Sequence, residues 1–282
     1  SPYFNAFFVP LTMLLMLKMV PGMLSNWKRQ SPEILRNKVL NRLLIAAVVG
    51  AGLAWWAEDL PWRGWLALCL CSYVWLAHGI DVVQKARAFR QGMFAGLRRL
   101  KPGYYGMVMA HCGLALVVAG VTLVSFNEQE SDLRMAEGDR ASVGGYEFHF
   151  VELGERDGPS FHAVRGTFDV SRDGRAVATM HPEKSNYFSG GQVMTEAAID
   201  TGLFRDLYVS LGEPVGGGAW SVRVYYKPFV DWIWGGALLM MIGGIFAVSD
   251  RRYRLATRKR KAKVQDAATG KLATAKSGEG DL

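Results

Sequence analysis

Apolar residues in this chain gather in five near-continuous blocks rather than recurring with the period of a soluble core: residues 4–24, 43–57, 65–83, 105–126 and 232–249. A helix that crosses a bilayer needs roughly 20 mostly apolar residues. The second block is the shortest, but five in one chain predict a multi-pass α-helical membrane protein. Between the fourth and fifth blocks the texture changes. Tyr146-Glu-Phe148-His-Phe150 alternates aromatic with polar positions, and Trp220-Ser-Val222-Arg-Val224-Tyr-Tyr226 does the same near the other end. Such alternation gives a strand one buried and one wet face. Asp173-Gly174 lies between two strand-like runs, 166–170 and 176–180; the pair tolerates the positive φ of a type I′ hairpin turn. Residues 127–229 therefore predict an inserted antiparallel β-rich domain, a small barrel or sandwich. The stretch Met194-Thr-Glu-Ala-Ala-Ile-Asp-Thr-Gly202 reads as a short helical or irregular insert.

Charge assigns the sides. Lys28, Arg29, Arg36, Lys38 and Arg42 follow the first block, and Lys85, Arg87, Arg90, Arg98, Arg99 and Lys101 follow the third. Arg251, Arg252, Arg254, Arg258, Lys259, Arg260, Lys261 and Lys263 follow the fifth. The loop after the second block instead holds Glu58 and Asp59 against Arg63. Residues 127–229 carry 10 Lys+Arg against 16 Asp+Glu, a net −6. Basic loops stay on the cytoplasmic side. The reading is four spans in 1–126 with basic cytoplasmic loops, a β-rich domain on the outside at 127–229, a fifth span at 230–249, and a basic cytoplasmic tail at 250–282. The last part of that tail, 264–282, is rich in Ala, Gly, Lys and Ser and reads as disordered. The chain therefore starts outside and ends inside.

The net charge of +8 over 282 residues thus reports topology, with anionic lipid as its contact. Nucleic acid is the weaker explanation, because the basic loops lack interleaved aromatics and a binding motif. Cys69, Cys71 and Cys112 all lie within apolar blocks, so neither a disulfide framework nor a CxxC metal site is expected. No signal-peptide pattern opens the chain, which begins inside an apolar block and reads as part of something longer.

Two of the five histidines sit within apolar blocks. His111 lies about six residues from the inner end of its block, roughly 9 Å deep at 1.5 Å per residue. Ionisable groups in hydrocarbon are costly and usually functional, and imidazole is a common axial ligand of haem iron. Gly106, Ala110, Gly113 and Gly120 would admit either another helix or a flat macrocycle close to this segment. A neutral histidine bonded to a neighbouring helix is the competing explanation. His78 lies at similar depth, so the two could ligate one haem from opposite sides; a bond to a backbone carbonyl, or snorkelling beside Asp81, is the simpler expectation for it. His149, His162 and His181 have no metal-ligand spacing and read as surface or turn residues. Cys112 beside His111 is not a Cys-x-x-Cys-His attachment site. Glu183-Lys184 and Glu196…Asp200…Arg205-Asp206 suit either a polar patch or an ordinary solvated surface. No catalytic triad or phosphate loop is present.

Val108-Met-Ala-His111-Cys-Gly, Glu130-Ser-Asp132-Leu-Arg134-Met and Val143-Gly-Gly-Tyr146 form an ordered series. It continues through His181-Pro-Glu-Lys184, Met194-Thr-Glu196-Ala-Ala-Ile-Asp200 and Arg205-Asp-Leu-Tyr208 to Leu211-Gly-Glu-Pro, Gly218-Ala-Trp220, Val224-Tyr-Tyr-Lys-Pro228 and Asp250-Arg-Arg-Tyr253. The series resembles the C-terminal part of the CcmF (CycK) family of cytochrome c-type biogenesis proteins, most closely over 104–254. The resemblance implies the C-terminal part of a haem lyase subunit, not sufficient for activity alone. That subunit takes haem from a periplasmic haem chaperone to apocytochrome c Cys-x-x-Cys-His sites, alongside thiol-handling and other maturation subunits. It implies a bacterial inner-membrane location with 127–229 periplasmic, a membrane haem b as reductant with His111 as one axial ligand, and no catalytic residue in this segment; His78, at similar depth, is the alternative ligand that the sequence itself offers. The family's Trp-rich haem-handling motif and its earlier membrane histidine have no counterpart here; Trp55, Trp56 and Trp62 instead suit a membrane interface. A paralogue for nitrite reductase haem attachment and a non-catalytic scaffold of the maturation complex are the alternatives.

The orientation is directly testable. A reporter active only outside the cytoplasm should work when fused near Gly158 and fail when fused near Gln91 or after Lys263; the reverse pattern contradicts the assignment.

Overall fold

The computed structural model describes residues 2–25, 31–56, 60–89, 92–191 and 193–250; the basic segment beyond Asp250 and the 264–282 tail lie outside them. The described chain forms six helices and ten strands. Helices α1 (Pro2–Leu24), α2 (Pro32–Trp56), α3 (Trp62–Arg87), α4 (Met93–Arg99) and α5 (Pro102–Asn127) precede all the strands, and α6 (Val230–Ser249) follows them. Four helical segments among the described residues are long and apolar enough to cross a membrane: Ala6–Leu24, Trp62–Arg87, Pro102–Asn127 and Val230–Ser249. The predicted span at 43–57 is not among these four. It falls in the second half of α2, whose first half carries Glu33, Arg36, Lys38 and Arg42. Leu44, Ile45 and Val48 are nonetheless exposed, as are Leu238, Met241 and Ile245 of α6, which is the surface a helix presents to lipid rather than water.

The chain divides into two compact units. The first comprises Ser1–Val49, Cys69–Ala115 and Gly236–Leu282. Its interior holds Met16 and Val20 of α1, Ala46 of α2, and Cys71, Tyr73, Val74 and Ala77 of α3, all essentially inaccessible. The short α4, unexpected within a basic loop, is fixed by contact. A Cβ at Gly96 would meet the backbone of Ala86, and the Tyr105 hydroxyl donates to the Leu97 carbonyl at 2.7 Å.

The second unit comprises Gly50–Leu68 and Leu116–Gly235 and contains a two-sheet antiparallel β-sandwich. One sheet has the order β1 (Gln129–Met135), β10 (Ala219–Pro228), β9 (Arg205–Gly216), β8 (Ala198–Asp200). The other runs β2 (Arg140–Val143), β3 (Tyr146–Asp157), β4 (Phe161–Arg172), β6 (Glu183–Tyr187), β7 (Val193–Glu196), with β5 (Arg175–Met180) also paired to β4. The predicted alternation is realised in β3, where Tyr146, Phe148 and Phe150 are buried and Glu147 is exposed. The β4–β5 hairpin turns at Asp173 and Gly174, with φ of 51° and 74°, the positive values that a type I′ turn requires.

Stretch 194–202 corrects the expectation of a helical or irregular insert. It supplies β7 and β8, one edge strand to each sheet. Met194 pairs with Ser185 and Ile199 with Tyr208, and ladder pairing overrides the helix-compatible Thr-Glu-Ala-Ala run.

The core joins Leu207, Val209, Leu211, Val222 and Val224 of one sheet to Phe148, Phe150, Phe168, Val170 and Met180 of the other. Phe150 and Phe168 stack with centroids 4.5 Å apart. Glu183 resolves a question left open by sequence: it is 7% exposed, not a solvated surface residue. Arg156 donates to it at 3.1 Å, Arg165 at 2.6 Å. Burial alone would raise its carboxyl, but the two guanidiniums hold it below the ordinary 4.5. Lys184 beside it donates to the Gly212 carbonyl at 3.0 Å and pairs with Glu213 at 2.5 Å.

Between β10 and α6 stands Phe229, whose φ is 61°. The Phe229 amide donates to the Phe204 carbonyl at 3.1 Å, and Phe204, Phe229 and Trp232 cluster within 6.4 Å of one another. The Asp206 carboxylate accepts the Gly202 amide at 3.1 Å and is shifted up by burial.

Phe168→Ala removes one partner of the central aromatic stack and should destabilise the sandwich by about 3–5 kcal/mol, measured by chemical denaturation of residues 127–229, which should show β-type circular dichroism. Because Glu183 is held low, its stabilisation is present above its unfolded value and lost as pH falls through the folded one. Glu183→Gln should therefore lose stability at neutral pH and flatten the acid limb of the pH–stability curve.

Candidate functional site

The first unit concentrates buried polar groups along one face of α3. Trp75, His78 and Asp81 follow one another at three-residue spacing, so they line a single side of the helix. Each meets α5. Trp75 Nε1 donates to the Cys112 carbonyl at 3.1 Å. His78 Nε2 and His111 Nδ1 are 2.9 Å apart. The Tyr104 hydroxyl donates to Asp81 Oδ2 at 2.6 Å, and Lys85 reaches the same oxygen at 2.6 Å while lying 4.2 Å from the Tyr104 ring centre. Three polar rungs thus join α3 and α5 in antiparallel sense. In an environment without water, such groups hold helices together because each would otherwise be unsatisfied.

The histidine rung has a direction. His78 is fully buried, and its Nδ1 lies 2.8 Å from the Val74 carbonyl. A carbonyl only accepts, so Nδ1 of His78 carries the proton. In a neutral ring the other nitrogen, Nε2, is then an acceptor, and His111 Nδ1 must donate to it. That leaves His111 Nε2 unprotonated, with an in-plane lone pair and no hydrogen bond to it among the described residues. The two rings cross at 89° with centroids 5.0 Å apart. His111 itself is only partly buried.

This arrangement bears on both expectations for His78. It does bond a backbone carbonyl, but it does not snorkel beside Asp81, whose oxygen is taken by Tyr104 and Lys85. Nor do the two imidazoles face each other across an iron. A metal–imidazole bond is about 2 Å, so a metal shared in line would hold the nitrogens roughly 4 Å apart; here they bond directly.

The small residues of α5 serve a second helix. Gly113 lies two residues beyond His111, roughly 200° round the helix axis, on the opposite side. A Cβ at Gly106 would come within 2.5 Å of the Gly243 carbonyl oxygen, and one at Gly113 within 2.7 Å of the Gly236 carbonyl oxygen. Gly243 in turn abuts Gly106 and the Ala110 backbone. Two glycines seven residues apart on α5 therefore meet two seven apart on α6, an antiparallel seam that only small residues allow. Of the two uses the sequence left open for these positions, close helix approach is the one seen.

Other polar groups lie in the same unit. Arg42 is buried, with its Nη1 lacking a hydrogen-bond partner, as does the buried Tyr73 hydroxyl. The remaining histidines sit in the sandwich. His162 pairs with Asp157 at 2.5 Å, which raises its pKa above the ordinary 6.5. His181 contacts Thr167 at 3.4 Å, and His149 is a half-buried member of β3. No cluster of three or more His, Cys, Asp or Glu suited to a metal occurs among the described residues. The donor set here suits a haem as one axial position: a single imidazole with its second nitrogen anchored.

Comparison with known proteins identifies the family. Residues 126–228 match the family described as CcmF C-terminal β-sandwich, which coincides with the two sheets. The chain is 43% identical over 259 residues to the cytochrome c-type biogenesis protein CcmF of Pseudomonas aeruginosa, covering 92% of this chain and 39% of that protein. It is 44% identical over 261 residues to CcmF of Pseudomonas fluorescens, with the same coverage. The chain belongs to the CcmF (CycK) family. It spans about two fifths of the length of these curated relatives. A solved structure of a protein named cytochrome c heme lyase CcmF superposes with a TM-score of 0.73 at 23% identity, covering 88% of this chain and 40% of that one. The fold is therefore that of a CcmF protein: membrane helices with an inserted antiparallel β-sandwich.

The glycine seam predicts its own test. Gly113→Val in the whole protein should separate α5 from α6, with overpacking that costs about 1–3 kcal/mol. A lowered midpoint of thermal aggregation in detergent, with no such loss for a valine at the exposed Gly52, is the expected result.

Proposed function

We propose that this chain is the C-terminal part of a haem lyase subunit for c-type cytochrome maturation in the bacterial inner membrane, and that His111 is one axial ligand of a haem b held within the bilayer. The observation that carries this reading is the directed hydrogen bond from His111 to His78, which leaves His111 Nε2 as an available donor atom. A metal-bound histidine characteristically donates its other ring N–H to a fixed acceptor. The family, whose curated members include cytochrome c-type biogenesis proteins, supports the maturation role.

When bound, haem b supplies one-electron redox chemistry, which would keep the iron of the haem being transferred in the ferrous state. The chain's own contribution is to position. His78 and the Val74 carbonyl orient the His111 ring; Trp75 and Asp81, through Cys112 and Tyr104, fix the register of α3 on α5; and α6 closes on the opposite face of α5. The acidic β-sandwich faces the periplasm, where the haem chaperone, the thiol-handling subunit and apocytochrome c are the partners. This orientation is supported by its net −6 beside the basic loops.

Replacing His111 with Ala in the whole protein tests the proposal. The low-spin haem b spectrum should be lost or become high-spin, cytochrome c maturation should fall to a small fraction, and added imidazole should restore the low-spin bands by filling the vacated position. Retention of a low-spin haem in His111→Ala would contradict it; retained maturation without haem would point instead to a scaffold.

A further inference from the structure

We infer that His78 is a positioning residue for His111, fixing which imidazole nitrogen meets the iron and how basic that nitrogen is. The inference rests on the reading of His111 as a haem ligand. The two hydrogen bonds form a single directed chain. The Val74 carbonyl accepts from His78 Nδ1 at 2.8 Å, and His78 Nε2 accepts from His111 Nδ1 at 2.9 Å. Its direction is locked at one end, because a backbone carbonyl cannot donate. The opposite tautomer of His111 would set two lone pairs against each other beside the fully buried His78. His111 can therefore present only Nε2.

Neighbouring groups exclude other ways of holding the ring. Asp81, three residues from His78 on the same helix, accepts from Lys85 and Tyr104 at its Oδ2, 2.6 Å each, and bonds neither imidazole. The Trp75 bond to the Cys112 carbonyl at 3.1 Å keeps α3 and α5 in the register that brings the two rings together. His78 touches neither iron nor macrocycle. It acts through His111, as acceptors behind metal-bound histidines do when they raise the ligand's basicity.

A more basic imidazole favours ferric over ferrous iron, so removing the acceptor should raise the haem midpoint potential. Loss of such an outer-shell partner typically changes affinity about 10-fold or more. A tenfold change in the ferric-to-ferrous preference corresponds to about 59 mV for one electron.

The test uses the whole protein with its bound haem and compares wild type, His78→Leu and His78→Gln by spectroelectrochemistry and by electron paramagnetic resonance of the ferric state. His78→Leu removes the acceptor, whereas the Gln amide oxygen can restore one near the same place. The expected result is a potential raised by about 59 mV in His78→Leu, with shifted ferric g values, and a return close to wild type in His78→Gln. An unmoved potential in His78→Leu, or equal shifts in both variants, overturns the inference. If His78→Leu loses its haem, a His78→Gln protein that holds haem near the wild-type potential supports it, and loss in both overturns it. The ligand assignment fails separately, by a low-spin haem surviving in His111→Ala.

Discussion

The hydrogen bond between His78 and His111 is the interaction on which the membrane unit turns. In hydrocarbon no water replaces a lost partner, and an unsatisfied polar group there costs several kcal/mol. One imidazole could meet that demand by bonding its own helix. Two that bond each other do more: they tie α3 to α5, and they convert a local need for satisfaction into a defined tautomer on the outer ring. The Val74 carbonyl supplies the direction, and His111 Nε2 inherits the consequence.

α5 is held on opposite faces by different physics. Towards α3 it presents Cys112, His111 and Tyr104 to polar partners on three successive rungs. Towards α6 it presents Gly106 and Gly113, where backbones approach so closely that a methyl group would not fit. A helix clamped in this way has little freedom to slide or rotate, so the direction in which His111 Nε2 points is fixed. The β-sandwich is stabilised by more ordinary means. Its two sheets bury an aromatic and aliphatic interior, and Glu183 is tolerated near it only because Arg156 and Arg165 neutralise it.

Much of this architecture was legible in the sequence because the signals were strong and local. Four of the five apolar blocks, the Tyr146–Phe150 alternation and the Asp173-Gly174 turn each follow from short-range geometry and are found where expected, while the block at 43–57 lies in α2, which is not among the four candidate spans. What the sequence misplaced or left open involves long-range pairing. Thr195-Glu-Ala-Ala has no strand periodicity of its own, and becomes β7 and β8 only because Ser185 and Tyr208 offer ladders. Glu183 looks like any surface acid until β3 and β4 bring two arginines over it. The site was half visible. His111 stood out as an ionisable group deep in an apolar run, whereas its pairing with His78 depends on the rotation of two helices about their axes. One signal pointed to it in advance: the two histidines share a depth, and Trp75, His78 and Asp81 share a face. Neither observation states that the rings meet.

The most direct measurement of the central claim is a structure of the whole protein purified with its haem, resolved well enough to place the axial ligands. The account predicts His111 Nε2 bonded to the iron, with His111 Nδ1 within hydrogen-bonding distance of His78 Nε2. Iron bound through Nδ1 of His111, or bound by His78 in its place, would contradict it.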